Sequence, residues 1–149
     1  MNQTGSDDFE TRVRDSFAKQ TIMATLGAEI AAVRLGEVEI VLPFSDKILQ
    51  QHGFIHAGAV ATIADSACGY AGLSVMPRDA AVLTTEFKIH LLSPAIGDRL
   101  RAVGRVVRNG KSLVVTLGEV FAETGGKSKQ VALITASMMV VGTGTGLRD

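Results

Sequence analysis

Apolar residues follow a helical spacing in the first part of the chain. Between residues 7 and 26 they stand four or five positions apart among charged ones: Phe9, Val13, Phe17, Ile22 and Leu26. This spacing predicts an amphipathic helix, with a candidate break near Gln20.

Later segments carry the pattern of strands. β-branched residues cluster from Glu29 to Phe44 around a short turn at Leu35-Gly36, which predicts two paired strands followed by a loop to Gly53. Four further strand segments are predicted at 80–92, 98–108, 112–123 and 128–141. The Asn109-Gly110 pair between two apolar runs is a strong hairpin signal.

Residues 54–76 are rich in alanine and lack strand alternation, which predicts a helix of about six turns. This segment is apolar nearly all round, so we expect the helix to be buried. The order of elements predicts an α+β domain in which one long antiparallel sheet wraps around one central helix.

Length and composition limit the number of domains and the classes of partner. The 149 residues fit one domain, with residues 1–26 as an N-terminal helical segment and 27–149 as the main body. Fifteen basic and fifteen acidic side chains cancel without a long block of either sign, so we expect no nucleic-acid or membrane partner. Hydrophobic residues make up 46%, an apolar surplus that favours burial against another subunit.

The N-terminus and the cysteine indicate the compartment. Residues 1–9 include Asp7 and Asp8 and no apolar core, so they are not a signal peptide. Cys68 is the one cysteine and has no companion at metal-ligand spacing, which suits a reducing compartment. We expect a cytoplasmic protein without metal or cofactor.

Asp65 is the one Asp, Glu, Lys or Arg residue between Phe54 and Met76. A carboxylate in a buried helix is costly unless something pairs with it or uses it. Two interpretations stay open at this point: Asp65 is a reacting group, or it lies on an exposed strip of the helix or caps a neighbouring loop.

Small residues surround His56 where the helix is predicted to begin: Gly53, Ala57 and Gly58. The unpaired N–H groups of a helix N-terminus can bind a carbonyl oxygen that gains negative charge, although glycines also simply form tight turns. Ala57 and Asp65 are eight residues apart, about 12 Å along a helix. One carbonyl cannot touch both, so an enzyme that uses both features requires a dimer with sites on its interface.

Two motifs carry a resemblance to a known family: QQHGFIHAG at residues 50–58 and TIADSA at residues 62–67. With FKIHLLSPA at 87–95 and NGKS at 109–112, they resemble the PaaI-like branch of the hot-dog-fold acyl-CoA thioesterases over about residues 37–142. Two departures are Ala57, where the family has the middle glycine of His-Gly-Gly, and Gln50, where many relatives have asparagine.

The resemblance implies hydrolysis of an acyl-CoA thioester by a homodimer that assembles into a homotetramer. The Ala57 N–H would polarise the carbonyl, Gln50 would hold the thioester or the water, and Asp65 of the other subunit would act as general base or nucleophile. Thr84, or otherwise Thr85, would help to place the water. Strand alternation groups Thr84 with Glu86, Lys88 and His90, and Thr85 with Phe87, Ile89 and Leu91.

Other polar residues complete the candidate site. His56 is expected to hold the loop near the substrate beside Gly58, whereas Cys68 is expected to be a packing residue. Residues at the second hairpin, Arg108, Lys111 and Ser112, are candidates for binding the phosphates of coenzyme A. The alternatives are a hot-dog dehydratase or hydratase, whose proline-flanked histidine is absent, a non-catalytic acyl-CoA-binding protein, and a structural or assembly protein.

Overall fold

The computed structural model describes residues 7–142 and 144–149, which begin with two short helices. Helix α1 spans Asp7–Lys19 and helix α2 spans Thr21–Leu26. Gln20 between them has extended backbone angles, so the predicted break is confirmed. The α2 helix ends where Gly27 adopts a left-handed φ of 82°. We propose, as the sequence suggested, that residues 1–26 are an N-terminal helical segment of the same domain whose main body is residues 27–149.

Six antiparallel strands form one sheet in the order β1-β2-β4-β5-β6-β3. The strands are β1 Glu29–Arg34, β2 Glu37–Pro43, β3 Ala81–Leu91, β4 Arg99–Asn109, β5 Leu113–Thr124 and β6 Lys127–Val141. The predicted strands are therefore confirmed, including the hairpin at Asn109-Gly110. Strands β1 and β3 are the two edges of the sheet, and β3 is eleven residues long.

The central helix α3 spans Ala57–Val75, so the prediction that it begins at Phe54 was wrong. The backbone of Ile55 pairs with Leu49 in an isolated bridge, and its N–H donates to the Ala95 carbonyl at 2.8 Å. These bonds hold the chain extended until His56, which caps the helix. The predicted loop at residues 45–53 also contains a short 3-10 helix, Asp46–Ile48.

Helix α3 lies directly against the sheet because small residues face each other there. A Cβ atom at Gly104 of β4 would lie 2.3 Å from the Ala67 carbonyl carbon, and one at Gly118 of β5 would lie 2.8 Å from Cys68 Sγ. Ala67 and Cys68 are completely buried. The prediction of a buried helix is confirmed beyond its first turn, and the contact fixes the height of Asp65 above the sheet.

The N-terminal helix α1 is tied to the far end of α3 by Arg12. This guanidinium donates hydrogen bonds to the carbonyls of Leu73, Met76 and Pro77. A cation bonded to the last carbonyls of a helix satisfies groups that have no partner within the helix and complements its dipole.

Among the helices in the described part of the chain, none has the length and hydropathy needed to cross a bilayer.

Candidate active site

Asp65 lies on α3, half-buried, where the helix faces the edge strand β3. Thr84 Oγ1 donates a hydrogen bond of 2.7 Å to Asp65 Oδ1. Burial raises the pKa of the Asp65 carboxyl, and the hydrogen bond from Thr84 opposes part of that rise. The carboxyl therefore has an affinity for protons above that of an ordinary aspartate, and among the described residues its Oδ2 has no hydrogen-bond donor.

A β-bulge at Thr85 brings Thr84 to this position. Thr84 lies opposite Met138 of β6 while Glu86 lies opposite the preceding residue, Ser137, so Thr85 is the extra residue. The Thr85 hydroxyl donates to the Ser137 carbonyl instead.

Strict alternation along β3 was therefore a wrong prediction. Beyond the bulge, Phe87 and Ile89 lie opposite Ala136 and Ile134, whose side chains are buried toward the helix as Met138 is. Phe87, Ile89 and Leu91 thus share the face of Thr84, while Glu86, Lys88 and His90 face away. The extra residue resets the alternation, which a repeating pattern in the sequence does not reveal.

The N-terminus of α3 leaves one N–H available. His56 Nδ1 accepts the Gly58 N–H at 2.7 Å, and the His56 carbonyl accepts those of Ala59 and Val60 at 2.9 and 3.2 Å. Within the described residues, the Ala57 N–H has no bonded acceptor. This group is directed out of the helix end and can donate to an oxygen that gains negative charge.

Gln50 lies in the loop before α3 with its amide oriented by the backbone. Its Oε1 accepts the N–H groups of His52 and Phe54. The Nε2 group has no acceptor among the described residues, so it is a second available donor.

Ala57 and Gln50 line the same cavity, of about 370 Å³, at the N-terminal end of α3. Most of its walls are apolar: Phe54, Ile55, Val60, Leu91, Pro94 and Val131. A cavity of this size and lining, with two donors, suits an apolar ligand that carries a carbonyl group.

Asp65 lines a different and smaller cavity, of about 90 Å³, which we name the Asp65 chamber. Its other lining residues are Gln20, Ser66, Gly69, Tyr70, Val82, Thr84 and Asp149. One chain therefore presents the carboxylate and the Ala57 donor in separate cavities. Sequence reasoning missed Gln20, Ser66, Tyr70 and Asp149. Tertiary packing brings Gln20 and Asp149 to Asp65, whereas Ser66 and Tyr70 lie one and five positions after Asp65 on α3 itself.

The hairpin residues Arg108, Lys111 and Ser112 lie at the other end of α3. Asn109 Nδ2 of this hairpin donates to the carbonyl of Val75, the last residue of the helix, at 3.5 Å. Since α3 has 19 residues, about 28 Å separate this end from Ala57. A single chain therefore does not bring the hairpin to the Ala57 cavity.

Cys68 and Gly58 both lie close against neighbouring residues. Burial raises the pKa of the Cys68 thiol to about 12, so this group is protonated at neutral pH. Gly58 packs against His56, the N-cap residue of α3, because a Cβ at Gly58 would lie 3.0 Å from His56 Nδ1.

Among residues 7–142 and 144–149, no group of three histidine, cysteine or acidic residues is arranged to hold a metal ion.

Comparison with known proteins identifies the class. The model of the thioesterase superfamily matches residues 52–129. A thioesterase family protein from Silicibacter pomeroyi is 46% identical, with a TM-score of 0.88, over 89% of this chain and 98% of its own. The chain belongs to the thioesterase superfamily and is a thioester hydrolase.

Two more solved structures share the fold. PaaI from the phenylacetic acid degradation operon of E. coli is 24% identical, with a TM-score of 0.83, over 93% of this chain and 97% of its own. The BH2602 protein from Bacillus halodurans, solved with CoA, is 28% identical, with a TM-score of 0.73, over 90% of this chain and 91% of its own. The predicted hot-dog fold and the likeness to PaaI are confirmed.

Proposed function

We propose that the protein hydrolyses acyl-CoA thioesters at sites shared by two subunits. Two groups on the same helix carry this proposal. One is the Ala57 N–H in an apolar cavity, which has no bonded acceptor among the described residues, and the other is the half-buried Asp65 carboxylate eight residues further along. The solved structure of BH2602 with CoA supports the choice of thioester.

The proposed reaction divides its work between the two cavities. The thioester carbonyl oxygen accepts hydrogen bonds from Ala57 N–H and Gln50 Nε2 of one subunit, which stabilise the negative charge of the tetrahedral intermediate. Asp65 of the other subunit takes a proton from water as the water oxygen bonds to the carbonyl carbon. Alternatively, Asp65 itself attacks that carbon and water then cleaves the anhydride. In both cases the C–S bond breaks and CoA leaves as a thiolate, and the acid is released. The thiolate gains the proton that Asp65 took from water in the first route, or a proton released when water cleaves the anhydride in the second.

The edge strand β3 is the proposed dimer contact. It is long, and most of its side chains are exposed in the single chain. Phe87 is 46% and Leu91 is 54% exposed on the face toward α3. An exposed apolar edge of this kind pairs readily with another strand.

Pairing two copies of β3 in antiparallel orientation also completes the site. On this strand Thr84 bonds Asp65, whereas Leu91 lines the Ala57 cavity. If Phe87 of each chain lies at the two-fold axis, the Thr84 end of one strand lies beside the Leu91 end of the other, because antiparallel strands run in opposite directions. Asp65 then meets the Ala57 cavity of the other chain, and the symmetry of the dimer creates two sites.

The substrate-binding residues and the tetramer are further parts of the proposal. His56 and Gly58 shape the entrance at the helix N-terminus, and Arg108, Lys111 and Ser112 meet the CoA phosphates at the subunit contact. The outer face of the sheet presents a second exposed apolar surface, formed by Leu83, Leu113, Val115 and Met139, on which two dimers would pack into a tetramer.

The central experiment measures thiol release from short, medium, long and aromatic acyl-CoAs by wild type and by Asp65→Asn. We expect Asp65→Asn to lose at least about 10²-fold in kcat while keeping its oligomeric state, since a lost base or nucleophile costs this much or more. The exposed carboxylate variant Asp46→Asn is the matched control and should retain full activity. Full activity of Asp65→Asn would contradict the proposal, and CoA binding without thiol release by wild type would favour a binding protein.

The dimer contact is tested by two matched charge substitutions. Phe87→Glu places two carboxylates near the symmetry axis, so we expect it to produce monomers without thioesterase activity. Leu113→Glu, with the same 46% exposure on the outer face of the sheet, should leave an active dimer. Light scattering and thiol release measure both properties. An active, dimeric Phe87→Glu protein would exclude β3 as the contact.

A further inference from the structure

The Asp65 chamber is polar, unlike the cavity at Ala57. Six of its eight lining residues have side chains that can form hydrogen bonds: Gln20, Asp65, Ser66, Tyr70, Thr84 and Asp149. An acyl chain buried there would separate these groups from water without replacing their hydrogen bonds, which is costly. A volume of about 90 Å³ bounded by polar groups instead has room for a few water molecules, each with several partners.

Gln20 reaches this chamber from the break between α1 and α2. Although it occupies the N-cap position of α2, its side chain makes no capping hydrogen bond there. Its Oε1 instead accepts the hydroxyl of Ser66, the residue after Asp65, at 3.2 Å. The side chain also approaches the Tyr70 hydroxyl. Gln20 is therefore held over α3 by bonds to the residues beside the carboxylate rather than by its own helix.

We propose that the Asp65 chamber holds the water that hydrolyses the thioester, and that Gln20 is a positioning residue for this water. The inference rests on the proposed function. Asp65, Gln20 and Ser66 all line the chamber, and their side chains can form hydrogen bonds to a water molecule there. The water oxygen bonds to the carbonyl carbon while its proton passes to Asp65. If Asp65 attacks first, the same water cleaves the anhydride.

The N-terminal helices would thus contribute to catalysis as well as to packing. Gln20→Leu keeps the size of the side chain and removes its hydrogen bonds. We expect kcat to fall about tenfold, equivalent to one hydrogen bond in the transition state, while KM stays within about twofold. A loss of packing alone would lower the amount of folded enzyme and leave the kcat of the folded fraction unchanged.

Ser16→Ala is the matched control. Ser16 bonds the Tyr70 hydroxyl from α1 at 3.2 Å in the same contact between helices, but it does not line the chamber. We expect its kcat to equal that of wild type. Equal losses in the two variants would assign Gln20 a structural role and overturn the inference.

Gln20→Glu supplies a second measurement that does not depend on the fate of Gln20→Leu. A carboxylate at this position raises the pKa of Asp65 by repulsion, so the acid limb of kcat against pH should move to higher pH. The other titratable groups lining the chamber are Tyr70 of α3 and Asp149 after β6, while β3 contributes only Val82 and Thr84. These groups are unchanged in the variant.

The outcomes separate the inference from the function on which it rests. An inactive Asp65→Asn together with a fully active Gln20→Leu, or an unshifted acid limb in Gln20→Glu, overturns the water site and leaves the thioesterase proposal intact. A fully active Asp65→Asn overturns the proposed function itself.

Discussion

The hydroxyl of Thr84 donates a 2.7 Å hydrogen bond to Asp65 Oδ1, and this bond joins the edge strand β3 to the central helix α3. The bulged residue Thr85 directs Thr84 toward the helix without turning Phe87, Ile89 and Leu91 away from it. The carboxylate is thus oriented through Oδ1, and no donor among the described residues bonds its second oxygen. Its pKa reflects two opposed causes, burial and this bond.

Replacing the hydroxyl tests this bond. Thr84→Val keeps the shape of the side chain and removes the hydrogen bond that lowers the pKa of Asp65, so this pKa should rise further. Because the reaction needs ionised Asp65, the acid limb of kcat/KM against pH should move to higher pH. The pH profile of thiol release measures the shift.

Thr85→Val is the control for that experiment, because the Thr85 hydroxyl donates to the Ser137 carbonyl. Its acid limb should coincide with that of wild type. A shift in Thr85→Val and none in Thr84→Val would reverse the assignment of the two threonines.

The charge on Asp65 should make the fold less stable at neutral pH. Its folded-state pKa is raised, so between the unfolded and folded pKa values the folded protein binds more protons. Stability therefore falls as the pH rises through that interval. Asp65→Asn removes the charge and can still accept the Thr84 hydrogen bond, so we expect a higher Tm at pH 7.

Thermal unfolding at equal protein concentration measures this gain. A stabilisation of about 1 kcal/mol would raise the Tm by roughly 2–4 °C for a chain of this size. The difference should narrow as the pH is lowered and the wild-type carboxyl becomes protonated. A lower Tm for Asp65→Asn at pH 7 would mean that the ionised group is stabilising in the folded protein.

The close contact between α3 and the sheet gives a prediction on packing. Gly104→Ala places a methyl group against the backbone of Ala67, so we expect a loss of at least about 1–3 kcal/mol in the free energy of unfolding. Gly69→Ala, on α3 itself, meets no atom within 4 Å and should be stabilising by up to about 1 kcal/mol through helix propensity. Denaturant unfolding of both variants tests the opposite signs.

Local patterns predicted most of the elements. The strand boundaries, the Asn109-Gly110 hairpin and the break at Gln20 follow from alternation, turn residues and helical spacing, which act over a few residues. The start of α3 did not follow from these patterns, because Ile55 is held extended by Leu49 and Ala95, which are distant in the sequence. Alternation on β3 likewise did not predict the bulge at Thr85.

By itself, the sequence determined that a lone carboxylate, Asp65, lies on an apolar helix eight residues after Ala57, which follows a glycine-containing turn. Helical rise then sets their separation, whatever surrounds them. The tertiary structure alone decided that Thr84 bonds Asp65 and that Gln20 reaches the chamber. These relationships join residues far apart in the chain, and their formation depends on packing of the whole fold rather than on any local pattern.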